Sequence, residues 1–189
     1  MTETTTRSEP WRGAVTVALE RRRRDDRGAL ADLRRGIVPL TERYALPYVA
    51  MFTDADPQTE KVLLRAVGII AGNLDAPHSD DTTFGGSLRE LFYRLNGKHP
   101  DADTTGTITR RVLALPSYDF DAAVQEIDGL VGYCGTHRVA VNFYNLAQLL
   151  FYWGNGVTDA SIKVRNRVVR NFFTPRPARL TPTDSTTKE

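Results

Sequence analysis

The sequence predicts an all-α protein, and three observations carry that expectation. Apolar residues recur at helical spacing along nearly the whole chain, no stretch sustains the period-two alternation of a half-buried strand, and the stripes are punctuated by residues that start or stop helices. The same punctuation divides the chain. A helical bundle is expected over 9–96 and a second over 107–174, joined by a polar linker at 97–106, with a disordered N-terminus at 1–8 and a disordered tail at 175–189.

Taken in order, Trp11, Val15, Ala18 and Leu19 make the first apolar stripe. The run Arg21 to Arg24 closes that helix, where cations offset the negative end of the helix dipole. Leu30, Leu33 and Ile37 mark a short second helix stopped by Gly36 and Pro39. Tyr44, Leu46, Tyr48, Val49 and Phe52 follow, interrupted by Pro47. Asp56 before Pro57 is a cap followed by a first-turn proline, and behind it Leu63, Val67, Ile70 and Leu74 fall on one face. Ser87 with Glu90 fits a capping box ahead of Leu88, Leu91, Phe92 and Leu95, and Asn96-Gly97 ends that helix. The segment GKHPDADTTG at 97–106 has two Gly, one Pro and no apolar anchor, which reads as a linker. Beyond it lie Ile108, Val112 and Leu115, stopped by Pro116, then Phe120, Val124, Ile127, Leu130, Val131 and Cys134. Asn142 then caps Phe143, Leu146, Leu149, Leu150 and Trp153, and the last helix runs from about Thr158 to Phe173, ended by Pro175. The tail RPARLTPTDSTTKE has too few apolar groups to offset its ordering entropy.

The composition, with 189 residues, 41% hydrophobic and 25% charged, excludes collagen, a low-complexity polymer and a wholly disordered chain. No run approaches the roughly 18 apolar residues of a membrane span. The start MTETTTRSEPW lacks the apolar stretch of a secretory signal, so a cytoplasmic address is expected. The lone Cys134 fits a reducing compartment.

The net charge of +2 conceals an uneven distribution. Residues 1–50 hold ten Arg against seven acidic residues and 161–189 hold seven cations against two, whereas 51–110 hold six against nine and 111–160 two against five. Basic ends therefore flank an acidic middle. Of the 25 cations 21 are arginine, whose planar fork donates two parallel hydrogen bonds to a phosphate.

Catalytic constellations are not found. FGGS at 84–87 has neither the following Gly-Lys-Ser/Thr nor the preceding strand of a phosphate loop, and reads as a turn before a capped helix. His78 with Asp80 and Asp81, and His99 with Asp101 and Asp103, read as solvated turns, so no metal is expected. Cys134 lies on an apolar stripe without a base partner and reads as a buried thiol. The expectation is a non-enzyme with no cofactor, no small-molecule substrate and no membrane contact.

Arginine placement is the remaining signal. On the last helix Lys163, Arg167 and Arg170 fall within about 60° of one another and form a basic stripe. Arg165 lies instead in the apolar half, where it must meet an internal carboxylate or reach a partner's phosphate; the sequence leaves both open. Arg34 with Arg35, and Arg110 with Arg111, broaden the basic edges of two other helices. Together these positions describe a path for a sugar-phosphate backbone, gripped without regard to sequence. Most aromatic residues that could stack bases, among them Tyr44, Tyr48, Tyr93, Phe143, Tyr144, Tyr152 and Trp153, fall in core stripes.

LADLRRG near residue 30, VLLRAVGIIAG at 62–72, GGSLRELF at 85–92 and VNFYNLAQLLFYW at 141–153 followed by RNRVVRNFF up to 173 together resemble the CasB-type small subunit of the type I-E CRISPR surveillance complex, Cascade. That resemblance implies a non-enzymatic, two-bundle helical protein that assembles as two head-to-tail copies beside the backbone and large subunits. It implies contacts to the displaced non-target DNA strand and to the guide RNA and target region. Residue by residue, it implies nucleic-acid contacts at Arg34, Arg35, Arg110, Arg111, Lys163 and Arg165, alongside Arg167 and Arg170 of the stripe, with Arg65 and Arg89 as secondary candidates. At 124–132 members often carry an arginine pair, and this chain has Glu126 and Asp128 instead. Two other classes fit less well: a helix-turn-helix regulator, whose usual turn is shorter than GNGVT at 154–158, and a purely structural adaptor whose arginines meet acidic proteins.

Overall fold

The computed structural model describes residues 9–100 and 105–175, so the expected loose N-terminus, the middle of the linker and all but the first residue of the tail lie outside the described residues. The structure is all-α. Its helices are α1 (Pro10–Arg23), α2 (Arg27–Arg34), α3 (Leu46–Val49), α4 (Pro57–Gly72), α5 (Phe84–Asn96), α6 (Thr107–Ala114), α7 (Phe120–Thr136), α8 (Phe143–Gly154) and α9 (Asp159–Phe173). Short 3-10 turns extend α2 through Ile37, flank α3, and follow α6 to Ser117. There is no strand among the described residues, only an isolated bridge between His78 and Val141. None of the described helices is long and apolar enough to cross a membrane.

Side-chain caps set most of the helix starts. Asp26, Asp56, Thr83, Asp119, Asn142 and Thr158 each accept a hydrogen bond from the amide three residues on, at 2.8–3.2 Å. Each satisfies one of the amides a first turn leaves without a partner. The expected capping box at Ser87 is corrected. Thr83 is the cap, FGGS forms the first turn of α5, and the Ser87 hydroxyl donates to the Ala140 carbonyl at 2.7 Å, four residues into the helix. The glycines explain the earlier start: a Cβ at Gly85 would stand 2.2 Å from the Val168 carbonyl oxygen, so only glycine lets α9 approach the opening turn of α5 this closely.

α4 is the centre of the molecule. Every residue from Val62 to Ala71 is buried, because α1, α2 and α8 all pack against it. A helix wrapped on all sides loses its amphipathic stripe, so the one-faced pattern expected for this segment understates its burial. Gly36, read from sequence as a stop, is a contact point: a Cβ there would lie 2.6 Å from the Leu64 carbonyl oxygen of α4. Leu74, expected on the α4 stripe, is 50% exposed because the helix ends two residues earlier. α5 packs along α9, α8 bridges α4 and α9, and the apolar core runs without interruption from Trp11 to Phe172. The helices on either side of residues 97–106 thus share one core.

Candidate nucleic-acid interface

α9 supplies the longest run of free cations. Its inner face is fixed by Val168 and by Phe172, which meets Phe92 of α5 edge-on at 5.9 Å between ring centres. With that face buried, the 3.6-residue period turns Lys163, Arg167 and Arg170 outward, and all three are exposed. None has a carboxylate partner among the described residues. Arg110, on the exposed side of α6, is likewise without one, and α6 packs on α9. The exposure of these four side chains agrees with the helix faces on which their spacing placed them.

Arg165, by contrast, is only 8% exposed, with its guanidinium 4.7 Å over the Trp153 ring. Its nitrogens face the carbonyls of Pro116, Tyr118, Trp153 and Gly156 at 3.3–3.5 Å, and Nε has no partner among the described residues. Burial lowers its pKa. The acceptors are backbone carbonyls and an aromatic face, so neither alternative posed for this residue describes it: it ties the turn after α6 to the α8–α9 turn.

A second basic group surrounds α7. Arg111 is half-buried and paired with Glu126. Arg35 is paired with Asp32 at 3.2 Å and lies 4.4 Å over the Tyr44 ring. Arg34 is exposed, and its charge acts on Asp128, whose oxygen lies with the Arg34 stem beside Gly72. Asp128 also accepts a 2.7 Å hydrogen bond from Asn73. Burial nonetheless pushes its pKa up, against the opposing effects of Asn73 and Arg34. Glu126 and Asp128, which stand where the resembled family often carries arginines, thus sit between the basic ends of α2 and α6 and offset part of their charge.

The secondary candidates are used structurally. Arg65, 3% exposed in α4, donates to Glu42 at 2.7 Å and to the Gly36 carbonyl, so burial rules it out as a surface contact. Arg89 donates to the carbonyls of Asn171 at 3.2 Å and Thr174 at 2.7 Å, tying α5 to the end of α9. Sequence reasoning missed Arg43, whose guanidinium lies 4.9 Å over Tyr44. With Arg35 it flanks an aromatic ring that is 41% exposed, not a core residue as its stripe suggested. The Arg43-Tyr44 juxtaposition was a usable signal. The buried Cys134 thiol is pushed up to about 12 by desolvation, leaving it protonated and unreactive at neutral pH. His78 is held between the Val141 carbonyl, the Asp80 carboxylate at 3.2 Å and the rings of Phe143 and Tyr144. The described residues contain no group of three or more potential metal ligands; Asp101 and Asp103 lie outside them.

A family model for CRISPR-associated protein Cse2 matches residues 29–173. Among solved structures, the fold is similar to a CRISPR-associated protein of the Cse2 family from Thermus thermophilus, at 19% identity and a TM-score of 0.65, covering 87% of this chain and 97% of that one. It is also similar to a chain of a CRISPR RNA-guided surveillance complex, at 18% identity and a TM-score of 0.65, covering 87% and 93%. No curated protein matches.

Proposed function

Because the chain belongs to the CRISPR-associated Cse2 family, we propose that it is a non-catalytic small subunit of a type I-E RNA-guided DNA surveillance complex and holds the displaced non-target strand by its phosphates. The observation that carries this reading is the exposed trio Lys163, Arg167 and Arg170 on α9, with Arg110 on the adjoining α6, all without carboxylate partners among the described residues. Arg34 and Arg35 extend the basic surface at α2. Arg111 joins it only when released from Glu126. Arg165 supports the turn that positions α9.

Such contacts act energetically. Opening a duplex on an RNA guide is a nearly balanced exchange, so modest contacts to the freed strand tip it toward the open state. Four phosphates neutralised on a single strand give a salt-dependence slope of about 3, at roughly 0.7 per contact. Contacts to phosphate position a strand without reading its bases, so a grip of this kind is indifferent to sequence.

The test is reconstitution of the guide-RNA complex with wild-type subunit and with the triple charge reversal Lys163→Glu, Arg167→Glu, Arg170→Glu. The reversal is expected to leave assembly intact while the displaced strand becomes accessible to a single-strand-specific nuclease and target binding loses part of its salt dependence. Unchanged protection and an unchanged salt slope would overturn the reading.

A further inference from the structure

A polar cavity of about 380 Å³ opens between the start of α1 and the first turns of α8. That volume lies at the lower end of small-ligand sites. Its walls include Trp11, Tyr144, Asn145 and Gln148, with Arg12 and Asp80 at the sides. Some polar groups here are committed to the fold. The Asn145 side-chain oxygen accepts from the Phe84 amide at 3.0 Å, and the Tyr144 hydroxyl pairs with the Thr16 hydroxyl at 3.0 Å. Two are not. Among the described residues the Asn145 amide nitrogen keeps its two donors and the half-buried Gln148 makes no side-chain hydrogen bond.

An uncommitted carboxamide offers a donor and an acceptor side by side, the pattern that pairs with the polar edge of a nucleobase. The half-buried Tyr144 ring offers apolar area to its face, whereas Trp11, 5% exposed, contributes little. The site also adjoins the basic stripe. Asn145 and Gln148 line, on their other side, a shallow depression whose wall includes Gly85, Val168 and Arg167. One pair of amides therefore separates the cavity from a phosphate-binding candidate of α9.

We propose that this cavity receives an unpaired nucleobase of the bound single strand, with the Gln148 and Asn145 amides on its polar edge, Tyr144 against its apolar surface, and Arg167 on its phosphate. The inference rests on the strand-binding reading above and adds to it a contact with a base. Asp80 is the one carboxylate in the lining, and the described residues gather no group of three or more metal-ligating side chains, so the proposal is one of binding without reaction.

The test is a titration of the isotopically labelled full chain with a deoxynucleoside monophosphate or with deoxyribose phosphate, read by nuclear magnetic resonance. The nucleotide is expected to shift the side-chain amide signals of Gln148 and Asn145, saturating in the millimolar range, an affinity on the order of 4 kcal/mol. The sugar phosphate is expected to leave those signals in place. Gln148→Ala is expected to weaken the nucleotide at least fivefold, and Gln148→Glu, which keeps the shape of the side chain, checks that folding is unaffected. If both probes perturb only the amides around Arg167, the cavity proposal is overturned and the phosphate grip stands. If neither probe perturbs any signal at saturating concentrations, the cavity proposal is overturned too. Salt-dependent retention of a single-stranded oligonucleotide then decides the broader reading separately.

Discussion

α9 and the α2–α7–α6 face hold similar numbers of cations and make very different use of them. On α9 the three outward cations have no carboxylate within reach among the described residues, so each keeps its charge for a partner. Around α7, Arg111 is bound to Glu126, Arg35 to Asp32, and Arg34 faces Asp128. A count of arginines along the chain treats the two regions as equal. Their availability differs because a phosphate must displace an existing carboxylate in the second region and only water in the first.

The largest test of that difference is charge reversal in each region. Reversing Lys163, Arg167 and Arg170 together should weaken single-strand binding by about two orders of magnitude at low salt and flatten the salt slope by about 2, at roughly 0.7 per phosphate. Filter binding across a salt series measures both. Equal losses from reversing Arg34, Arg35 and Arg111 would erase the distinction.

The second test attacks the seat of α9. Gly85→Ala forces a methyl against the Val168 carbonyl oxygen, a backbone atom that cannot move aside. It should cost about 2–3 kcal/mol in denaturant unfolding, as overpacking does, and weaken binding by displacing the stripe. A third change works in the opposite direction. Glu126→Gln releases Arg111, and the double variant Glu126→Arg, Asp128→Arg adds the missing basic pair. Binding should strengthen a few-fold for the first and about tenfold for the second in the same assay, on the order of 1 kcal/mol. No gain would show that the α7 face lies off the strand's path.

The smallest effect is a pH dependence. The Asp128 pKa is raised in the folded state above its ordinary 3.8, chiefly by burial. Its ionised form is therefore the less favourable one in the fold. The associated stability is fully present below that ordinary value and is lost as pH rises through the raised folded value. Thermal melts over a pH series should find Asp128→Asn more stable than wild type near neutrality, with the gap closing on acidification. Protonation also removes the charge facing Arg34, so binding should rise slightly over the same window. A gap that widens in acid would place Asp128 in a net favourable ion pair.

Much of the fold was legible before any coordinate. Asp56 and Asn142 cap the helices the spacing assigned to them, and the stripes of α7 and α8 are buried as read, apart from the half-buried Phe120. The misreadings have a common cause. Ser87 satisfies a capping rule, but Thr83 does so earlier and the packing of Gly85 on α9 selects it. Tyr44 keeps helical spacing with core residues, but the surrounding chain is a series of short 3-10 turns that leave it on the surface. Within the candidate site, the outward direction of Lys163, Arg167 and Arg170 was legible because it needs only the helical period. The internal use of Arg65, Arg111 and Arg165 was not, since their partners come from other helices.

The sequence alone determined the helical class, most element boundaries, the lack of a recognisable catalytic motif and the basic stripe of α9. These follow from backbone periodicity, caps and turn residues, which act between near neighbours in the chain. Tertiary structure alone decided which guanidiniums remain available, because desolvation and charge pairing depend on groups brought together from distant segments: Glu42 to Arg65, Glu126 to Arg111, Trp153 to Arg165. It also placed Gln148 and Asn145 between a polar cavity and Arg167, which no linear spacing expresses.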